Sequence, residues 1–94
     1  GAAVVSARRA GTTASLDVLH QYFADAQMPV VSSTYWNMVH GKTPEEVRKD
    51  LEGMQTMRNL GHNLAWLLKC IRIANEQGIH PPTASYDQWT NFIR

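Results

Sequence analysis

The sequence is poor in cysteine: Cys70 is the single thiol among 94 residues. One thiol builds neither an intrachain disulfide nor a cysteine-based metal knuckle, and a lone thiol fits a reducing, cytoplasmic setting. No apolar run approaches the roughly 20 residues that span a bilayer, and no signal-peptide pattern opens the chain. No membrane partner is therefore expected. The formal net charge is only +1, which argues against a whole-surface electrostatic partner such as nucleic acid or anionic lipid. There is no G-x-G-x-x-G, no Walker loop and no nucleophile elbow. The four histidines, His20, His40, His62 and His80, are widely spaced, and no two form a close ligand pair on one helix face, so no metal site is expected. No residue stands out as a catalytic acid, base or nucleophile. A starting methionine is also lacking. The chain opens almost directly in an apolar run and reads as a processed product or a fragment whose natural start lies elsewhere.

What is present is ordered like a layered α/β protein. Ala2–Val5 is a short apolar, partly β-branched run followed by the polar stretch Ser6–Gly11, a strand and then a loop. Thr12 or Thr13 is placed to cap a helix, in which Leu16, Leu19 and Phe23 recur at helical spacing and which Pro29 ends. Val30–Ser33 is the second strand candidate, and Thr34–Lys42 the loop after it. Thr43-Pro44-Glu45-Glu46 is a capping box with proline at the first helical position. It opens a long helix, to about Gln77, with an apolar stripe of Val47, Leu51, Met54, Leu60, Leu64, Leu67, Ile71 and Ala74, and Gly78 is its stop. At 1.5 Å per residue that helix is about 50 Å long, so it bends near Gly61 or packs on something outside this chain. Met54 and Met57 read as core or packing residues, and Cys70 as a small core or interface residue. His80–Arg94 reads as an extended arm anchored by Tyr86, Trp89, Phe92 and Ile93.

Strand, helix, strand, helix is the order of a right-handed βαβ crossover, hence of a parallel sheet. Parallel sheets are covered on both faces, and two strands leave open edges that invite further pairing. The expected division is a body over residues 1–79 and an extension over 80–94. On its own the chain is expected to be an incomplete sheet that oligomerises or aggregates.

In an open α/β sheet, ligands sit beyond the carboxyl ends of the strands. The expected strands put two loops there, Ser6–Thr12 and Thr34–Lys42. The first offers hydroxyls, Arg8, Arg9, Gly11 and the free N–H groups of a helix start, which suit an anion or an electron-rich ring edge. The second offers Tyr35 and Trp36, which stack on aromatic ligands, and Asn37, which both donates and accepts. Two blander roles stay open: Arg8 and Arg9 as solvated loop charges, and Tyr35 and Trp36 as core or interface filler.

Ala2-Ala3-Val4-Val5-Ser6-Ala7-Arg8-Arg9-Ala10-Gly11-Thr12-Thr13 resembles a strand and flavin-facing loop of the flavodoxin-like NADPH-dependent FMN reductases. Met28-Pro29-Val30-Val31-Ser32-Ser33, with Tyr35-Trp36-Asn37-Met38-Val39-His40-Gly41, resembles that family's last strand and its loop. Thr43–Cys70 resembles its final helix, and Thr90-Asn91-Phe92-Ile93-Arg94 a natural terminus. The resemblance is closest to the multimeric flavodoxins and the iron–sulfur-flavoprotein relatives. It implies an α/β fold class, the C-terminal βαβα part of a flavodoxin-like three-layer parallel sheet with a long final helix and an extended C-terminal arm. It implies FMN as cofactor, NAD(P)H as co-substrate, a small-molecule electron acceptor, and assembly as a homodimer or tetramer that includes an N-terminal half. Ser6, Ala7, Arg8, Arg9, Ala10, Gly11, Thr12 and Thr13 would line the isoalloxazine ring. Tyr35, Trp36 and Asn37 would lie nearby or at a subunit contact. A non-enzymatic electron carrier or oligomerisation module is the alternative.

Overall fold

The computed structural model describes residues 1–93; Arg94, the last residue of the expected terminus, lies outside them. The chain is a mixed α/β unit with a two-stranded parallel sheet and a long C-terminal helix. Its elements are β1 (Val5–Ala7), α1 (Thr12–Asp25), β2 (Met38–His40), α2 (Pro44–Val47) and α3 (Leu51–Glu76). The parallel pairing expected from the element order is present. Val5 lies opposite Met38, Ser6 opposite Val39 and Ala7 opposite His40.

The second strand is not where the β-branched run predicts it. Val30–Ser33 belongs to neither strand of the ladder, and β2 lies inside the stretch expected to be a loop. Val30-Val31 still pairs once: Gly1 N–H donates to Pro29 O at 2.7 Å, and Val31 N–H donates to Gly1 O at 2.8 Å. After that point the chain loops out and rejoins at Asn37, whose carbonyl accepts from Val5 N–H at 3.0 Å. The second run thus pairs at both ends and bulges between them. Met38-Val39-His40 is too short, with one β-branched residue, for period-two alternation to reveal it.

Helix α1 starts without the threonine cap. Its N-cap is Gly11, at φ 96°, with no side-chain bond to the first turn. Thr12 is turned inward instead, and its hydroxyl donates to Met38 Sδ at 3.2 Å. The helix ends at Asp25, ahead of Pro29.

The expected single helix over 44–77 is two. Thr43 caps α2 as predicted, accepting from Glu46 N–H at 3.3 Å, while Glu46 Oε2 accepts from Lys42 N–H at 2.6 Å. The break falls at Asp50 rather than Gly61, because the Asp50 carboxylate caps a fresh helix through Gly53 N–H at 2.9 Å. A short acidic side chain that bonds the backbone three residues on competes with helix continuation. Around Gly61 the helix runs on unbroken. It closes in a Schellman motif, with Gly78 at φ 79°, Gly78 N–H on Asn75 O at 3.0 Å and Ile79 N–H on Ala74 O at 2.9 Å.

The core is thin. Its buried apolar residues are Ala3, Leu16, Val31, Val39 and Leu60. Only the first half of α3 reaches it, through Gly53, Thr56 and Leu60. Leu51 and Ile71 of the expected stripe are exposed, and so is Cys70, which is therefore not a core residue of this chain.

Candidate functional site

The loop after β1 stands open. Arg8, Arg9, Ala10 and Gly11 are exposed, Ser6 and Thr13 are exposed, Ala7 is half-buried and Thr12 is buried. A β-carbon added at Gly11 would meet nothing within 4 Å, so the space over this turn is free. The first turn of α1 holds no acidic residue and its N–H groups receive no side-chain cap. Ser15 Oγ donates to Gly11 O at 2.8 Å and steadies the turn from the helix side. The result is a backbone corner with free donors, a positive dipole end and two guanidinium groups beside it in sequence, which suits electron-rich atoms.

Tyr35, Trp36 and Asn37 are not beyond the carboxyl end of the second strand. They precede β2, in the bulge, because the strand begins at Met38. Together with Thr13 they line a cleft of about 210 Å³ between α1 and the Val30–Asn37 segment. The Ser6–Thr12 loop contributes none of that lining. The cleft also takes Leu16, Asp17, His20 and Val30–Ser33, which the sequence did not single out for a site. Tyr35 and Trp36 rings lie 5.8 Å apart at 34°, and both side chains are more than half exposed. Beside them Asn37 is buried to 5% exposure. Asn37 Oδ1 and His20 Nε2 are buried without a hydrogen-bond partner. Such unpaired polar atoms cost about 1–3 kcal/mol each, so this part of the surface is unfinished as it stands.

Beyond the true carboxyl end of β2 lies Gly41–Thr43. Ser6, Val39, Gly41, Thr43, Val47 and Met54 contribute to a wide, shallow groove there. Asp50 ties the end of β2 to the start of α3 nearby: Oδ2 accepts from His40 N–H at 2.8 Å and Oδ1 from Gly53 N–H. The bond from Gly53, then that from His40, hold the Asp50 carboxyl below its ordinary value of 3.8. Sequence reasoning passed over Asp50, although aspartate is among the favoured N-cap residues.

No family model, curated protein or solved structure matches the chain. Among the described residues, no group of three or more His, Cys, Asp and Glu side chains is placed to hold a metal ion. No described helix is long and apolar enough to cross a membrane.

Proposed function

We propose that the chain is the ring-facing C-terminal part of an FMN-dependent NAD(P)H oxidoreductase of flavodoxin-like fold. The observation that carries this reading is the open corner at Gly11. A planar ring approaches backbone closely only where no β-carbon intervenes, and Gly11 leaves that space empty at the carboxyl end of a parallel strand. The resemblance of Ser6–Thr13 to a flavin-facing loop supports the same assignment.

FMN, when bound, supplies the hydride-accepting and electron-transferring chemistry. The chain's own residues bind and orient the ring. Backbone N–H groups of the first turn of α1 donate to its electron-rich edge. Arg8 and Arg9 stabilise negative charge there, and the buried Thr12 fixes the helix start against Met38. Tyr35, Trp36 and Asn37 sit on the separate cleft and serve a contact between subunits.

FMN titration followed by flavin fluorescence tests the reading. Arg8→Ala removes a charge-assisted donor and is expected to weaken FMN binding about tenfold, the equivalent of about 1.4 kcal/mol. Gly11→Val forces a β-branched residue to positive φ and fills the ring's space, so it is expected to weaken binding at least as much. Unchanged affinity in both variants, with unchanged helical circular dichroism, rules out the loop as ring seat. NADPH oxidation with FMN and an added electron acceptor separates a reductase from an electron carrier, which transfers electrons without turning over the nucleotide.

A further inference from the structure

The fold treats the two sides of one loop differently. Between Val31 and Asn37 the chain leaves the sheet and returns to it. The near end is fixed by Val31 N–H on Gly1 O, and the far end by Val5 N–H on Asn37 O. Ser32–Trp36, between these points, is a strap without helix or strand. On one side it is tied to α3. Ser33 Oγ donates to Thr56 O at 2.7 Å, Asn59 Nδ2 donates to Thr34 Oγ1 at 3.0 Å, and Asn63 Nδ2 donates to Ser32 O at 2.9 Å. Thr56, Asn59 and Asn63 are spaced by three and four residues, so one stripe of the helix makes the clasp.

The other side of the strap is untied. It borders α1 across the cleft of about 210 Å³. Among the described residues, the α1 side chains that form hydrogen bonds reach Met38 and Gly11, not the strap. On this side lie the two polar atoms without partners, His20 Nε2 on α1 and Asn37 Oδ1 at the strap's end. Leu16, Val30 and Val31 give the cleft an apolar wall. Tyr35 and Trp36 ride on the strap, each 58% exposed. The clasp therefore holds two large aromatic side chains in water beside apolar surface.

The opposing contributions are of similar size. Three neutral hydrogen bonds at a partly exposed seam favour the clasped position. Two unpaired buried atoms and two uncovered rings disfavour it. Once free of α3, the Ser33 and Thr34 hydroxyls become donors for acceptors across the cleft. A strap fixed at both ends and clasped along one side is built to swing about those ends.

We propose that Ser32–Trp36 is a two-position strap: Asn59 and Asn63 hold it on α3, and without them it closes over the cleft onto α1, taking Tyr35 and Trp36 out of solvent. Asn59 and Asn63 are thus positioning residues for the aromatic pair. The motion needs no flavin and is separate from the cofactor reading.

Trp36 is its own reporter. The sequence has three tryptophans, and a Trp66→Phe/Trp89→Phe background leaves Trp36 as the one emitter, whose exposure acrylamide quenching reads. Asn63→Asp sets a carboxylate, which cannot donate, against the Ser32 carbonyl, and is expected to open the clasp. Asn59→Asp meets a hydroxyl, which turns and donates to the carboxylate, and is expected to leave the clasp shut. Quenching of Trp36 should fall at least about twofold in the Asn63→Asp chain, as its ring becomes covered, and hold the parent value in the Asn59→Asp chain. Asn59→Ala/Asn63→Ala removes both amide bonds and puts a good helix former at each position. It should behave as Asn63→Asp does, with helical circular dichroism retained. Trp36 as quenchable as in the parent, or more so, in both clasp-breaking chains overturns the proposal, because the strap then has no second position on α1. An equal fall in the Asn59→Asp chain also overturns it, because charge on α3 rather than the clasp would then be moving the strap.

Discussion

Asp50→Ala is expected to destabilise the fold by about 2–5 kcal/mol. The sum has two parts. Loss of the α3 N-cap costs about 1–2 kcal/mol, and stranding the His40 N–H costs about 1–3 kcal/mol. The carboxylate joins the end of β2 to the start of α3, through His40 N–H at 2.8 Å and Gly53 N–H at 2.9 Å. Asp50→Asn keeps one acceptor for Gly53 and is expected to lose less. Urea denaturation followed at 222 nm reads the difference. A variant as stable as the parent would mean that the joint contributes nothing. The same carboxyl fixes a pH dependence. Its folded pKa is depressed below 3.8, chiefly by the Gly53 and His40 N–H bonds. Its contribution is therefore fully present above about 3.8, the unfolded value, and is lost as pH falls through the lower folded value. The parent's urea midpoint should drop across that acid window. The Asp50→Ala midpoint should drop less, since it has no carboxylate there to neutralise.

Asp50 also marks where the sequence misleads. Residues 44–77 carry one continuous helical pattern because both helices share an apolar periodicity, and a capping side chain inside that pattern is a local event that periodicity averages away. The parallel order of the strands was legible, since a helix between two short strands leaves few other topologies. The position of β2 was not. Val30-Val31 has the β-branched composition of a strand but pairs only through Val31 and Gly1, while the ladder forms on Met38–His40, selected by register with Val5–Ala7. That displacement moved the Tyr35–Asn37 group from the expected strand end into a bulge. The open loop at Arg8–Gly11 was legible because a glycine between arginines and a helix start has few other uses. The unpaired Asn37 and His20 atoms arise from packing across distant segments, which no local pattern records.

Gly53 and Gly61 make the sharpest stability test, because the same substitution is expected to act with opposite sign eight residues apart on one helix. Alanine normally gains about 1 kcal/mol over glycine inside a helix. At Gly61 nothing lies within 4 Å of the added β-carbon. Gly61→Ala should therefore stabilise by about 0.5–1 kcal/mol, raising Tm by roughly 2–8 °C for a chain of this size. At Gly53 the added carbon would stand 2.9 Å from Val39 Cγ1 and 2.8 Å from Asp50 Cγ, and would press on the Asp50 carboxylate oxygen. Val39 is in the core and Asp50 is bonded to two backbone N–H groups, so neither yields freely. Overpacking of this kind costs about 1–3 kcal/mol, and displacing the carboxylate adds part of the Asp50 joint. Gly53→Ala should lower Tm despite its better helix propensity. Thermal melts of the two variants decide the matter, and a rise in Tm for Gly53→Ala would show that α3 does not press against β2. If Tm falls, the absence of a side chain at Gly53 is what lets the long helix lie on the strand that carries the groove beyond Gly41, and the helix start, the strand and that groove are one mechanical unit.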